Sequence, residues 1–250
     1  MMTKTALVTG AAAGIGRACA RQLAKDGVAV GVLDLLIEQA QNTADEINAE
    51  GGRAIALQAD ISDRAQVEAA VQTLRDTFGP ITILVNNAGI TNTTPFKDVT
   101  EDLWDRVYRI NVKGTFIVTQ VVLPDMEAAK WGRIVNMSSS SAQTGQANMV
   151  PYSSSKGAII TMTRALAEEL GPLGITVNNI PPGIIMNTIM SEANRANFPI
   201  PIETVREMIP VRRTGEPEDI ANACSWLCSE GASYVTGQTI GVNGGRLRTT

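Results

Sequence analysis

The sequence predicts an α/β fold: a doubly wound, mostly parallel sheet of about seven strands with helices on both faces. Short apolar runs of strand character alternate with helix-periodic segments along the whole chain. The first of these runs ends in a glycine-rich turn that opens into a helix. The 250 residues suit one α/β domain spanning the chain, 1–250. Strands this short and this apolar are buried on both faces, which is the habit of parallel sheets.

The elements follow in order. Thr5 to Val8 reads as the first strand and Ile15 to Lys25 as the first helix. Val28 to Leu33 is the second strand, followed by a polar-faced helix from Ile37 to Glu50. Ala54 to Leu57 and a helix from Arg64 to Phe78 come next, then Ile81 to Val85 as the fourth strand. Thr100-Glu101-Asp102 is a helix start signal, and the helical pattern behind it runs to Ala128. Arg133 to Met137 is the fifth strand, Pro151 to Leu170 a helix, and Ile175 to Ile180 the sixth strand. Pro217-Glu218-Asp219 opens a helix, since proline suits the first turn and acids suit its positive end. Thr239 to Val242 is expected to close the sheet as a seventh strand. The least regular stretch, 181–214, is a long segment of the kind that forms a lid over a site.

Composition removes several function classes. Net charge is −4, which gives no footprint for nucleic acid. The three cysteines, Cys19, Cys224 and Cys228, form no disulfide framework and read as small core residues of a protein from a reducing compartment. No run of apolar residues is long enough for a membrane span, and the N-terminal segment is better explained as a strand than as a signal peptide, so a cytoplasmic protein is expected. There is no histidine, which excludes an internal Ser-His-Asp triad and any His-ligated metal site. No metal is expected.

The turn after the first strand is Thr9-Gly10-Ala11-Ala12-Ala13-Gly14-Ile15-Gly16. Its glycines permit positive φ and close approach of the backbone to a ligand. The helix behind it turns free N–H groups and its positive end towards a pyrophosphate. This is the setting of a dinucleotide site in a Rossmann-type sheet. Asp34, at the end of the second strand, would accept hydrogen bonds from the adenosine ribose and repel a 2′-phosphate. Leu35, Leu36, Ile37 and Glu38 follow it without a basic residue, so NAD is favoured over NADP.

Tyr152 and Lys156 are four apart on a helix and share a face. A phenol titrates near about 10, and an ammonium beside it lowers that value. The pair supplies an acid/base to a chain that has no histidine; the plainer alternative is an ordinary exposed helix pair.

Together these residues resemble the short-chain dehydrogenase/reductase family over nearly the full chain. TGAAAGIG is similar to that family's TGxxxGxG, and Asp60-Ile61 to the acid and apolar pair that flank the adenine. Asn86-Asn87-Ala88-Gly89 is similar to its NNAG, YSSSK (Tyr152 to Lys156) to its YxxxK, and Pro182-Gly183 to the PG after the sixth strand. TGQTIGVNGG resembles the family's tail motif, with Asn243 replacing the usual aspartate. The resemblance implies a catalytic set of Asn111, Ser139, Tyr152 and Lys156. Ser139 is chosen on family spacing among serines 138 to 141, and Ser138 is the alternative. Implied cofactor contacts are Gly10, Ala13, Gly14, Ile15, Gly16, Asp34, Asp60, Ile61, Asn87, Ala88, Gly89, Tyr152, Lys156, Pro182, Gly183 and Ile185. Asn187 or Thr188 would hold the nicotinamide carboxamide. Tyr152 would exchange the substrate proton, Ser139 would hold the substrate oxygen, Lys156 would tune Tyr152 and bond the nicotinamide ribose, and Asn111 would hold a relay water.

Substrate contacts are expected from Ser139, Ala142, Gln143, Met149, Tyr152, Met186, Ile189 and Met190, with Val150, Ile184, Ile185 and Phe198 nearby. Such an apolar wall suits a hydrophobic, cyclic secondary alcohol of terpenoid, alicyclic or steroid type and its ketone. The alternative enzyme is a 3-oxoacyl-carrier-protein reductase using NADPH, which Asp34 and the acidic balance disfavour. A non-enzymatic dinucleotide sensor is disfavoured because all four catalytic candidates are present. The resemblance also implies a homotetramer paired through the helices at Asp102–Ala128 and Pro151–Leu170 and through the region from Asp219 onwards, with the tail Arg246 to Thr250 reaching a neighbour.

Overall fold

The structure is a computed structural model that describes residues 4–186, 188 and 201–247. Six strands form one parallel sheet: β1 (Thr5–Thr9), β2 (Ala29–Asp34), β3 (Arg53–Gln58), β4 (Ile81–Asn86), β5 (Gly132–Met137) and β6 (Ile175–Ile180). Their spatial order is β3-β2-β1-β4-β5-β6. The order reverses between β1 and β4, so the connections leaving these neighbours diverge and open a crevice at the strands' carboxyl ends.

Alternation along each strand divides the core in two. Ala6 and Val8 of β1, with Val135 and Met137 of β5, face α1 (Gly14–Lys25), α2 (Ile37–Ala49) and the helix Pro217–Leu227. Leu7 and Ile134 point the other way, towards α3 (Arg64–Phe78), α5 (Thr115–Ala129) and α7 (Val150–Leu170). Period-2 side-chain geometry makes both faces apolar in a sheet covered on both sides. The three cysteines are buried in the first of these layers, as small core residues.

Two expectations are corrected. The helical pattern from Thr100 is not one helix: α4 (Glu101–Tyr108) passes through a π-helical turn, Arg109–Gly114, before α5 begins. Such turns interrupt the regular ladder and often mark functional positions, and Asn111 sits in this one. The seventh strand does not form. Beside β6 the chain makes isolated bridges at Thr239 and Val242 only. Pro181 and Pro182 follow β6 directly, and neither can donate to a ladder; pairing resumes where Gly183 N–H donates to Val242 O at 3.1 Å.

Within 181–214, the described residues include α8 (Ile202–Glu207), before α9 (Pro217–Leu227). Short α6 (Ser141–Thr144) precedes α7. Asn187, Ile189, Met190, Phe198 and the last three residues of the tail lie outside the described residues. No helix among the described residues is long and apolar enough to cross a membrane.

Candidate active site

The crevice at the switch point opens into a cleft of about 1050 Å³. Its floor carries Ser139, Tyr152 and Lys156, and Gly89, Pro182 and Thr188 stand around them.

The glycine turn is shaped by the absence of side chains. Gly10 and Gly14 hold φ of 63° and 55°, in the left-handed region. A Cβ on Gly16 would fall 2.1 Å from Gly10 O and 2.6 Å from Asn87 Nδ2. Asn87 ties the turn to β4, its Nδ2 donating to Thr9 O (3.1 Å) and Gly10 O (2.9 Å). Thr9 Oγ1 accepts from the N–H groups of Asn87 and Ala88, both at 3.1 Å. Helix α1 begins at N-cap Ala13, which offers no side-chain cap, so its first-turn N–H groups are left to a ligand.

Asp34 is fixed beside this turn. Its Oδ2 accepts from Ala12 N–H and its Oδ1 from Leu36 N–H, each at 3.1 Å. Asp60 Oδ1 accepts from Ser62 N–H and Oγ–H at 2.8 Å. The Ile61 side chain is buried against Gly114, where a Cβ would meet Ile61 Cδ1 at 2.6 Å, so Ile61 can offer an adenine ring only its backbone. Thr188 packs on Gly14: a Cβ there would sit 3.3 Å from Thr188 Cγ2.

The four catalytic candidates come from different elements. Tyr152 and Lys156 lie on the first two turns of α7, with 6% and 5% exposure. Ser139 lies just past β5 and is hydrogen-bonded to the Tyr152 side chain. It also accepts from Ser141 Oγ–H at 2.9 Å. Ser138 lines the cleft too, and its buried hydroxyl has no hydrogen-bond partner among the described residues. Lys156 Nζ donates to Met137 O at 2.8 Å and lies 5.9 Å from the centre of the Tyr152 ring. Asn111 Oδ1 accepts from Ile90 N–H at 2.8 Å, and its Nδ2 donates to Ile90 O (2.9 Å) and Ser155 Oγ (3.0 Å). Asn111 and Lys156 converge on Gly89: a Cβ there would lie 3.0 Å from Asn111 Oδ1 and 3.4 Å from Lys156 Nζ.

Burial governs the titration of this pair. It lowers Lys156 to about 8, because an ammonium loses its hydration there. It raises Tyr152 above the ordinary phenol value, and the hydrogen bond with Ser139 opposes the rise. The depression of Tyr152 expected from Lys156 is not seen: burial outweighs the hydrogen bond with Ser139, and the phenol is protonated at neutral pH.

The substrate end differs from expectation. Met149 and Met186 line the cleft, but Ala142 and Gln143 do not. On the single turn of α6, Ser141 and Thr144 are three apart and share a face, and it is they that look into the cleft. Val150 is exposed at the start of α7 and also lies outside the lining. With Thr93, Gln146 and Asn148 in the lining as well, the wall is mixed rather than apolar. Single polar residues in loops carry no periodicity and so leave no signal in the chain; Arg246 is another such lining residue. Among the described residues there is no cluster of His, Cys, Asp or Glu that would hold a metal.

A sequence model of a family described as enoyl-(acyl carrier protein) reductase matches residues 10–246. The chain belongs to the short-chain dehydrogenase/reductase family and is an oxidoreductase of that family that works with a nicotinamide dinucleotide. It is 40% identical over 246 residues to the (2S)-[(R)-hydroxy(phenyl)methyl]succinyl-CoA dehydrogenase subunit BbsD of Thauera aromatica, covering 98% of this chain and 97% of that one. It is also 40% identical over 246 residues to the 3-oxoacyl-[acyl-carrier-protein] reductase FabG of Aquifex aeolicus, covering 97% and 96%. Among solved structures, a variant of the actinorhodin polyketide ketoreductase with NADPH superposes with a TM-score of 0.92 at 33% identity, covering 98% of this chain and 97% of that one.

Proposed function

We propose that the protein interconverts 3-oxoacyl and 3-hydroxyacyl thioesters by hydride exchange with a nicotinamide dinucleotide, preferring NAD(H). The observation that carries the chemistry is the buried Tyr152–Ser139 hydrogen bond on the floor of the cleft. The names of two relatives support the substrate class. Both describe acyl thioesters, one with an oxo group at carbon 3 and one with a hydroxyl on the carbon attached to succinyl carbon 2. They favour this reading over the apolar cyclic alcohol that the sequence suggested. The mixed lining agrees, since Thr144, Gln146 and Asn148 offer partners to the polar groups of a thioester arm.

The residues present fit a dinucleotide. Side chains at Gly10 or Gly16 would clash with the turn itself and with Asn87–Ala88, so the glycines let the turn close tightly, and the uncapped start of α1 suits a pyrophosphate. Asp34 would hold the adenosine ribose, and its fixed carboxylate disfavours a 2′-phosphate. Lys156, Asn87, Thr188 and the 182–185 backbone would hold the nicotinamide half. Bound there, the nicotinamide supplies or accepts the hydride.

The chain's own residues handle the oxygen. Ser139 Oγ–H and Tyr152 OH donate to the ketone oxygen, withdrawing charge as it becomes an alkoxide. Tyr152 then gives up its proton to that oxygen as a general acid. Burial keeps Tyr152 protonated at neutral pH, which suits the reductive direction. Lys156, charged below about 8, stabilises the phenolate left behind. Asn111, held rigid by Ile90 and Ser155, lies beside Lys156 where a reprotonating water would enter.

The test is an initial-rate comparison of acetoacetyl-CoA, acetoacetyl-N-acetylcysteamine and cyclohexanone, each with NADH and NADPH, for the native protein and Tyr152→Phe. Thioester reduction with NADH, lost in Tyr152→Phe, is expected. Turnover of the cyclic ketone alone would overturn the substrate reading, and a preference for NADPH would overturn the reading of Asp34.

A further inference from the structure

Helix α7 begins badly for a helix that carries an acid/base on its first turn. Its N-cap is Met149, whose side chain makes no cap hydrogen bond, and a thioether is a poor acceptor in any case. The first-turn N–H groups of a helix have no partner within it. Pro151, in that turn, has no N–H to satisfy. Ser153 N–H already reaches Met149 O at 2.8 Å. The N–H groups of Val150 and Tyr152 remain, and only the second sits on the residue that carries the phenol.

That N–H donates to Asn92 Oδ1 at 3.2 Å, across 60 residues of sequence. Asn92 lies in the segment after β4 and is 8% exposed. Its Nδ2 donates to Asn148 O at 3.4 Å, and the same carbonyl accepts from Thr94 N–H at 2.7 Å. Asn148 holds a φ of 64°, a left-handed conformation that a side-chain-bearing residue adopts at some cost. One amide therefore closes both the first turn of α7 and the bend leading into it, on the wall of the cleft.

We propose that Asn92 is a positioning residue for Tyr152, supplying from a distant loop the cap that α7 lacks. Its effect runs through the backbone of Tyr152, so it sets where the phenol sits relative to Ser139 without touching the substrate. The inference rests on Tyr152 being the acid/base of the reaction above. It also gives Asn92 a role distinct from that of ordinary caps in this fold: Asp63, which accepts from Ala65 and Gln66 N–H at the start of α3, holds a helix with no catalytic side chain on its first turn.

The test compares Asn92→Leu, Asn92→Asp, Asp63→Ala and Tyr152→Phe in the full chain, with acetoacetyl-N-acetylcysteamine and NADH. Asn92→Leu is expected to lower kcat about 10- to 100-fold, the scale of a small misplacement of a reacting group, with KM for NADH unchanged. Asn92→Asp keeps the acceptor for Tyr152 N–H but loses the donor to Asn148 O, so its kcat should fall between those of the native protein and Asn92→Leu, while Asp63→Ala loses a cap and should leave kcat unchanged. A second readout needs no turnover. The chain has three tyrosines, so the NMR titration of ¹³Cζ-labelled Tyr152 is assigned by its loss in Tyr152→Phe. In Asn92→Leu it should fall towards the ordinary phenol value as the loosened turn admits water. An Asn92→Leu protein with native kcat and native Tyr152 titration overturns the inference. If Tyr152→Phe stays active, it is the acid/base reading that fails, and the titration alone then decides whether Asn92 fixes Tyr152.

Discussion

Replacing Lys156 with Met should change how stability depends on pH. The native ammonium titrates at about 8 because it is buried, while in the unfolded chain a lysine titrates near about 10.4. Below about pH 8 both states hold the proton, and the full cost of burying the charge is present. Between about 8 and 10.4 the native state has released its proton and the unfolded state has not, so stability rises with pH by up to ~1.4 kcal/mol per unit. From pH about 7 to about 9.5 the gain is ~2 kcal/mol. Met has no proton to release, so Lys156→Met lacks this gain. Tyr152 works in the opposite sense, because its native value is raised: the unfolded chain releases that proton first and stability falls, but only as pH passes about 10. The range stops short of it. The assay is urea unfolding of both proteins at one protein concentration, at pH about 7, 8, 9 and 9.5. The native protein should gain ~2 kcal/mol on the variant across that range. A difference that does not change with pH would refute the argument that Lys156 is desolvated on the floor of the cleft.

Other expectations are simpler. Asp34→Ser removes the carboxylate that Ala12 and Leu36 N–H hold in place, and should shift the NADH-to-NADPH ratio of kcat/KM by about 10-fold or more towards NADPH, the scale of one lost charge repulsion; an unchanged ratio would show that Asp34 does not face the ribose. Gly16→Ala puts a methyl 2.1 Å from Gly10 O, so NADH binding measured by fluorescence should weaken at least about 10-fold, the scale at which one close contact disturbs a ligand site. Native affinity in that variant would count against the cradle.

The helices and strands were legible because their signals are periodic. The boundaries of β6, Ile175–Ile180, follow from a segment with Ile175, Val177 and Ile180, bounded by a glycine and two prolines. The π-helical turn at Asn111 was not legible, since one extra residue in a helix leaves no mark on composition. The missing seventh strand could have been foreseen from Pro181 and Pro182, which deny β6 a continuous edge. Tyr152, Lys156 and the glycine turn stand at fixed spacings and were legible for that reason. Asn92 was not: its partner is a backbone N–H brought near only by the fold. The rotation that turns Ala142 and Gln143 away from the cleft was equally hidden, because it depends on a single helical turn.

The most direct test of the central claim follows the hydride itself. A 3-oxoacyl thioester is reduced by the purified protein with NADH carrying deuterium at both C4 positions of the nicotinamide, and the product is read by mass spectrometry and NMR. A single deuterium at carbon 3 of the 3-hydroxyacyl product is expected, with none when Tyr152→Phe replaces the native protein. A product without deuterium, or reduction that survives the loss of the Tyr152 hydroxyl, would contradict it.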